Sequence, residues 1–313
     1  MSFLGRSRLA LVVLAVALMG AACQANTDPR VRADGSSTVG PLTEVAAKAF
    51  FEATGVQVTV GTSGTSGGFE KFCKGETDIS NASRLIKDSE VQACKDNGVE
   101  WEQVQVANDA LSAVVHPDHP LDCITIDQLK QAWDLGSKVD SWGDIDGLET
   151  DLPDMELKLF GPGSDSGTYD YWTEAVNGEE GRIRTNYNSI GEDDSAAIQA
   201  ISVDPWAMAY LPYSFIEESE GAVKALAVVN PDTGECVEPT LENVQNGSYA
   251  PLGRGLYIYP SAAALQRPEV LDFIEFYIDN QADFTTTATF IPMTEEQAAA
   301  SKEKIQSLVD SGS

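Results

Sequence analysis

The stretch Gly163-Ser164-Asp165-Ser166-Gly167-Thr168-Tyr169 decides how this chain is read. It follows Leu157-Lys158-Leu159-Phe160, whose alternating apolar positions predict a strand, and it leads into a predicted helix running from Tyr169 to Val176. A strand, a small hydroxylated loop and a helix start together point unpaired backbone N–H groups at one spot, and such a spot attracts anions. Glycine lets a ligand come close to the backbone, while serine and threonine add donors without adding charge.

Working outward, the same arrangement recurs. Asp34-Gly35-Ser36-Ser37-Thr38-Val39-Gly40 precedes Pro41 and a helical run through Leu42, Val45, Ala46, Ala49, Phe50 and Ala53, stopped by Gly55. Val56, Val58 and Val60 alternate as a strand; Gly61 to Gly68 forms a second loop, and Phe69 to Lys74 predicts a helix. Asp78 to Arg84 is a third polar segment at a strand end, with Asp88 or Ser89 capping a further helix. Leu111 to Val115 reads as a crossing between lobes, and Leu256 to Tyr259 as the return. Ile126 to Trp133, Ala196 to Val203, Pro268 to Asn280 and Thr294 to Val309 predict helices, whereas Ala207 to Tyr213 and Val223 to Val229 predict strands. Strands alternating with helices argue for α/β layers, and ligands in such folds sit beyond the carboxyl ends of strands.

The totals exclude some functions. The 313 residues carry a formal charge of −29, so nucleic acid is not an expected partner. An anionic ligand would have to be held by local donors against the overall field. A helix N-terminus favours an anion by roughly 0.3–1 kcal/mol, and hydrogen bonds to a charged acceptor contribute roughly 1.5–3 kcal/mol each. Arg6 and Arg8, the apolar run Leu9 to Met19 and the small residues before Cys23 predict an export signal over residues 1–22. Cys23 resembles the lipidated cysteine of a bacterial lipoprotein, with residues 23–33 as a tether; ordinary cleavage nearby is the alternative. The other cysteines are Cys73, Cys94, Cys123 and Cys236, an even number in an exported chain, which suggests disulfides. Three pairings are open; Cys73–Cys94 with Cys123–Cys236 is favoured, because the first closes a short local loop. No spacing suggests zinc, and no metal or cofactor is expected. His116 and His119 flank prolines in a loop, and Trp133, Trp142, Trp172 and Trp206 are expected in packing.

Taken together, Asp34 to Thr38, Gly64 to Gly68, Asp78 to Arg84, Ser166-Gly167-Thr168 and Ala207-Met208-Ala209-Tyr210 resemble the phosphate-binding proteins of bacterial high-affinity phosphate ABC importers, as does Asn243 to Leu252. The resemblance implies an α/β, two-lobe type II periplasmic-binding-protein fold with a ligand cleft between lobes. Lobe 1 would comprise residues 34–114 and 255–313, and lobe 2 residues 115–254. The implied function is extracytoplasmic capture of inorganic phosphate and delivery to a membrane ABC permease by a monomer that is no enzyme. By the same resemblance Ser37, Thr38 and Thr65 donate from lobe 1, and Ser166, Gly167 and Thr168 from lobe 2. Well-known members carry an arginine where this chain has Pro162 and an aspartate where it has Ser83. Arg84 is therefore expected to supply the cation. Asp194 is the nearest candidate acceptor for the ligand O–H, or alternatively a helix N-cap. Competing readings are the same fold on sulfate, molybdate, tungstate or arsenate, and a secreted phosphatase. Against the phosphatase, no serine has a recognisable His/Asp partner set.

Overall fold

A computed structural model describes residues 30–150, 152–164, 166–191 and 193–311. The signal and Cys23 lie outside the described residues. The strands are β1 Val31–Gly35, β2 Val58–Gly61, β3 Ile79–Ala82, β4 Val104–Val115, β5 Cys123–Ile124 and β6 Lys158–Gly161. They continue as β7 Asn188–Ser189, β8 Ala207–Pro212, β9 Lys224–Ala225, β10 Ala227–Val229, β11 Cys236–Val237 and β12 Gly253–Pro260. Among the described residues, nine of them form one sheet in the order β2-β1-β3-β12-β4-β8-β6-β7, with β9 also on β4. A three-stranded sheet, β11-β10-β5, stands apart.

β4 organises the two-lobe architecture. Its first part, from Val104 to Ala110, pairs with β12. Its last residues, Leu111 to Val115, pair with β8 instead. One strand thus serves two lobes, each with its own core. In lobe 1, Phe50 meets Phe273 with ring centroids 5.4 Å apart, and Tyr277 and Ile274 are fully buried. In lobe 2, Trp172 stacks on Tyr210 at 4.4 Å and 4°, with Trp133 edge-on to both rings. Burying each such side chain contributes about 1.5–3 kcal/mol.

The first helix, Val39–Thr54, buries Leu42, Ala46 and Phe50, and ends where Gly55 takes φ 77 and donates its N–H to Phe51 O. The Pro268–Asp279 helix starts on proline, whose missing N–H costs nothing there, and buries Val270, Phe273, Ile274, Tyr277 and Ile278. Two expectations need correction. The second helix runs Gly64–Phe72, so most of the predicted second loop is its first turns. The cause is close packing: a Cβ on Gly68 would fall 2.5 Å from Gly35 Cα. The apolar run 223–229 is two strands, not one. Leu226 N donates to Ala113 O while Ala227 N donates to Asp122 O, so the chain leaves one sheet for the other.

Disulfides join Cys73 to Cys94 and Cys123 to Cys236. The second ties β5 to β11 across a sequence separation of 113. His119 is buried, its ring 4.4 Å from Trp142. Its Nδ1 accepts from Leu121 N, and burial pushes its pKa down to about 4.

Candidate functional site

The carboxyl ends of β1, β2 and β3 all open onto one side of lobe 1, because these strands are parallel. At the end of β1, Gly35 takes φ +144, and a Cβ there would fall 2.1 Å from Asn81 O. Only glycine fits this close approach. Ser36 then turns the chain into the first helix, its Oγ accepting from Thr38 N at 3.2 Å and Val39 N at 3.3 Å. Ser37 and Thr38 stand half-buried at that helix start. Beside them, Thr65 Oγ1 lies 3.1 Å from Ser83 Oγ and accepts from Ser83 N at 3.3 Å. Asp34 is turned away from this cluster: Lys71 Nζ at 2.6 Å and Ser63 hold it. Burial raises its pKa, but those partners outweigh burial and bring it down.

Lobe 2 presents the matching half. Ser166 caps the Gly167–Asn177 helix, its side chain accepting from Thr168 N at 3.2 Å. The helix therefore begins at Gly167, and Gly167 and Thr168 occupy its first turn. A Cβ on Gly167 would fall 2.8 Å from Thr38 Oγ1 and 3.3 Å from Thr38 N, so the two helix starts meet directly. Ser37 Oγ donates to Asp170 Oδ2 at 3.3 Å across the same gap. Burial raises the pKa of Asp170, with Ser37 and Arg254 opposing. Two positive helix ends facing each other make a local exception to the acidic exterior.

The guanidinium at this meeting point belongs to Arg254. Arg254 on β12 is the direct cross-strand partner of Asp109 on β4. Its Nε and Nη2 reach Asp109 Oδ2 at 3.2 and 3.1 Å. Nη2 also donates to Thr38 Oγ1 at 3.3 Å, and Nη1 to Ser83 O at 3.1 Å. The group lies 3.4 Å above the Tyr171 ring of lobe 2. Burial of the Asp109 and Arg254 side chains, 9% and 10% exposed, makes this pair geometrically fixed.

Arg84 has other partners. Nη1 and Nη2 donate to the two carboxylate oxygens of Glu90, each at 2.8 Å, and Nη2 donates to Ser66 Oγ at 2.9 Å. Burial opposes its charge, but Glu90 outweighs burial and keeps its pKa up. Thr38 and Ser83 thus touch Arg254 directly, Thr65 is linked to it through Ser83 and Gly167 through Thr38, while Arg84 is held by Glu90 and Ser66. Asp194 is the first residue of its helix, Asp194–Val203, and the capping role falls to Asp193, which accepts from Ala196 N at 3.2 Å. Asp194 Oδ1 is buried. Sequence reasoning missed Arg254, Asp109 and Asp170. The available signal was an arginine between two glycines, Gly253-Arg254-Gly255, at a strand start.

Among the described residues no group of His, Cys, Asp or Glu is arranged to hold a metal ion, and no helix is long and apolar enough to cross a membrane.

Against this geometry, a family model described as a PBP superfamily domain matches residues 20–281. Protein SphX of Synechococcus elongatus is 39% identical over 280 residues, covering 88% of this chain and 81% of that protein. The phosphate-binding protein PstS of Staphylococcus saprophyticus is 34% identical, covering 89% of this chain and 85% of its own length. A solved structure described as a possible phosphate binding protein from Planctomyces limnophilus superposes with a TM-score of 0.83 at 32% identity, covering 90% of this chain and 98% of that one.

Proposed function

Since this chain belongs to the PBP superfamily, we propose that it is a phosphate-binding protein that captures inorganic phosphate and delivers it to a membrane ABC permease. It is a binding protein and not an enzyme. One observation carries the reading: uncharged donors from opposed helix starts, Thr38 and Gly167-Thr168, meet beside the fixed guanidinium of Arg254. Ser37, Thr38, Thr65, Ser166, Gly167 and Thr168 supply hydroxyl and N–H donors. Arg254 supplies the principal charge, oriented by Asp109, and Arg84 is a second cation nearer the mouth. Asp170 accepts from the lobe-1 donor Ser37 and joins Asp194 as a candidate acceptor for the ligand O–H.

The same reading extends to the whole chain. Residues 1–22 are an export signal, and Cys23 is lipidated so that the residues from 23 up to β1 tether a monomer outside the cytoplasmic membrane; the tether is shorter than the expected 23–33, because Val31 and Ala33 are buried in β1. Residues 31–110 and 253–313 then form lobe 1 and residues 111–252 lobe 2, a few residues from the expected bounds, since β4 changes partner from β12 to β8 after Ala110. Closure brings Thr38 onto Gly167 and seals the anion from water, where each donor gains strength.

Isothermal titration of ligand-stripped protein with phosphate tests the reading, with sulfate as competitor. Saturable one-to-one phosphate binding that Thr168→Ala weakens at least about tenfold is expected, since one bond to a charged acceptor is lost. Absence of phosphate binding, or sulfate bound in its place, would overturn it.

A further inference from the structure

β4 and β12 carry the chain between the lobes, and a third segment links them without crossing covalently. Ile291 N donates to Asn108 O at 3.0 Å, and Asn108 N donates to Ile291 O at 2.8 Å. Since both backbone groups of Asn108 go to Ile291, this pairing lies on the edge of β4 away from β12. Ile291 belongs to the lobe-2 core with Val244, Tyr249 and Leu252. Met293, two residues on, belongs to the lobe-1 core with Phe273 and Ile305. The change from one core to the other falls at Pro292.

The Pro292 carbonyl is held from both lobes. Asn108 Nδ2, on the lobe-1 part of β4, donates to it at 3.1 Å. Gln245 Nε2, at the end of the lobe-2 helix Leu241–Gln245, donates to it at 2.9 Å. Gln297, on the C-terminal helix Glu295–Ser311, completes the set. Its Nε2 donates to Gln245 O at 3.1 Å and to Asn108 Oδ1 at 3.2 Å, while its Oε1 accepts from Asn108 Nδ2 at 3.0 Å. Beside these bonds the two helices stand apart across a cavity of about 710 Å³, with Leu241 and Glu242 on one side and Ala300 and Lys304 on the other. The amides, rather than close packing, hold them at this separation.

Hydrogen bonds weaken steeply once bent below about 120°, so a set that spans two lobes closes at one inter-lobe angle. Here it closes at the angle where Thr38 meets Gly167. Asn108 also directly precedes Asp109, which holds Arg254. We propose that Gln245 and Gln297 are positioning residues. Through Asn108 and the Pro292 carbonyl they latch the lobes at the angle that brings Thr38, Gly167 and Arg254 together, and so slow phosphate release without touching the ligand. The proposal rests on the phosphate-binding reading above and adds a determinant of affinity on the hinge side.

Stopped-flow association and dissociation of inorganic phosphate test it, with the ligand-stripped full chain as wild type, Gln245→Met and Gln297→Met. Methionine keeps the length of each side chain and removes its hydrogen bonds. Each variant is expected to release phosphate about fivefold faster, the scale of one neutral hydrogen bond. The association rate should change by less than about twofold, because the latch forms only once the lobes have met. Melting temperatures measured alongside separate this from a purely structural role. Lower melting temperatures with unchanged release in both variants overturn the proposal, as does a loss carried by the association rate instead. Should Gln297→Met fail to fold, Gln245→Met decides alone, since it leaves Asn108 and Gln297 paired. A wild-type chain that binds no phosphate overturns the phosphate reading, whereas wild-type binding with unaltered release from the variants overturns this proposal only.

Discussion

Arg84 follows β3 and Arg254 lies on β12, its neighbour in the sheet, but their partners divide the work. Arg84 is clamped by both oxygens of Glu90, whereas Arg254 turns Nε and Nη2 to one carboxylate oxygen of Asp109, shares Nη2 with Thr38 Oγ1 and gives Nη1 to Ser83 O. Arg254→Lys keeps a charge opposite Asp109 and loses the fork. Calorimetry should show phosphate affinity falling about tenfold to a hundredfold, against less than about threefold for Arg84→Lys. Equal losses would put the principal cation elsewhere. Gly167 gives a second prediction at this scale. Its missing Cβ is what lets Thr38 approach, so Gly167→Ala should hold the cleft ajar. Small-angle scattering with phosphate should then show a radius of gyration that no longer shrinks, with affinity down about tenfold or more. His119 gives a third. Its folded pKa is depressed to about 4, so the unfolded chain binds its proton first as pH falls. Its contribution to stability is present above about 6.5 and is lost between there and about 4. A pH series of melting temperatures should decline through that window, and His119→Gln should flatten the decline.

At the scale of elements, periodicity was a reliable guide wherever a helix buries one apolar stripe. Val39–Thr54 and Pro268–Asp279 follow from it almost to the residue. Phe273→Ala should therefore cost about 3–5 kcal/mol, read by urea denaturation, because Phe50 and Tyr277 cannot close around the space. The pattern failed where packing, not amphipathicity, sets the boundary. Gly64 to Gly68 looks like loop because its residues are small, yet they are small so that a helix can lie against Gly35. The split between β9 and β10 depends on carbonyls of Ala113 and Asp122, which no local window contains. The anion site divides in the same way. Its donors are legible because each lies in a Ser/Thr/Gly loop at a strand end. Arg254 is not, because its meaning comes from register with Asp109, 145 residues away.

For the molecule as a whole, the formal charge of −29 and a ligand of the same sign pull against each other. The donors at the helix starts act over a few ångströms, whereas the net field acts over about 10 Å at 0.1 M salt. Phosphate association measured by stopped flow should accordingly quicken as sodium chloride rises from about 0.01 to 0.2 M, the reverse of a ligand steered by attraction. A rate that falls with salt would mean that the mouth carries a positive field of its own. One further consequence concerns β4. Residues 104–110 complete one lobe's sheet and 111–115 the other's, within one continuous strand. Neither half can be excised as an autonomous part, since severing the chain there strips a bonded edge from both pieces at once. Anyone building chimaeras from this scaffold must transplant that strand whole, and should expect spliced halves to seek each other, or to aggregate, through the raw margins left behind.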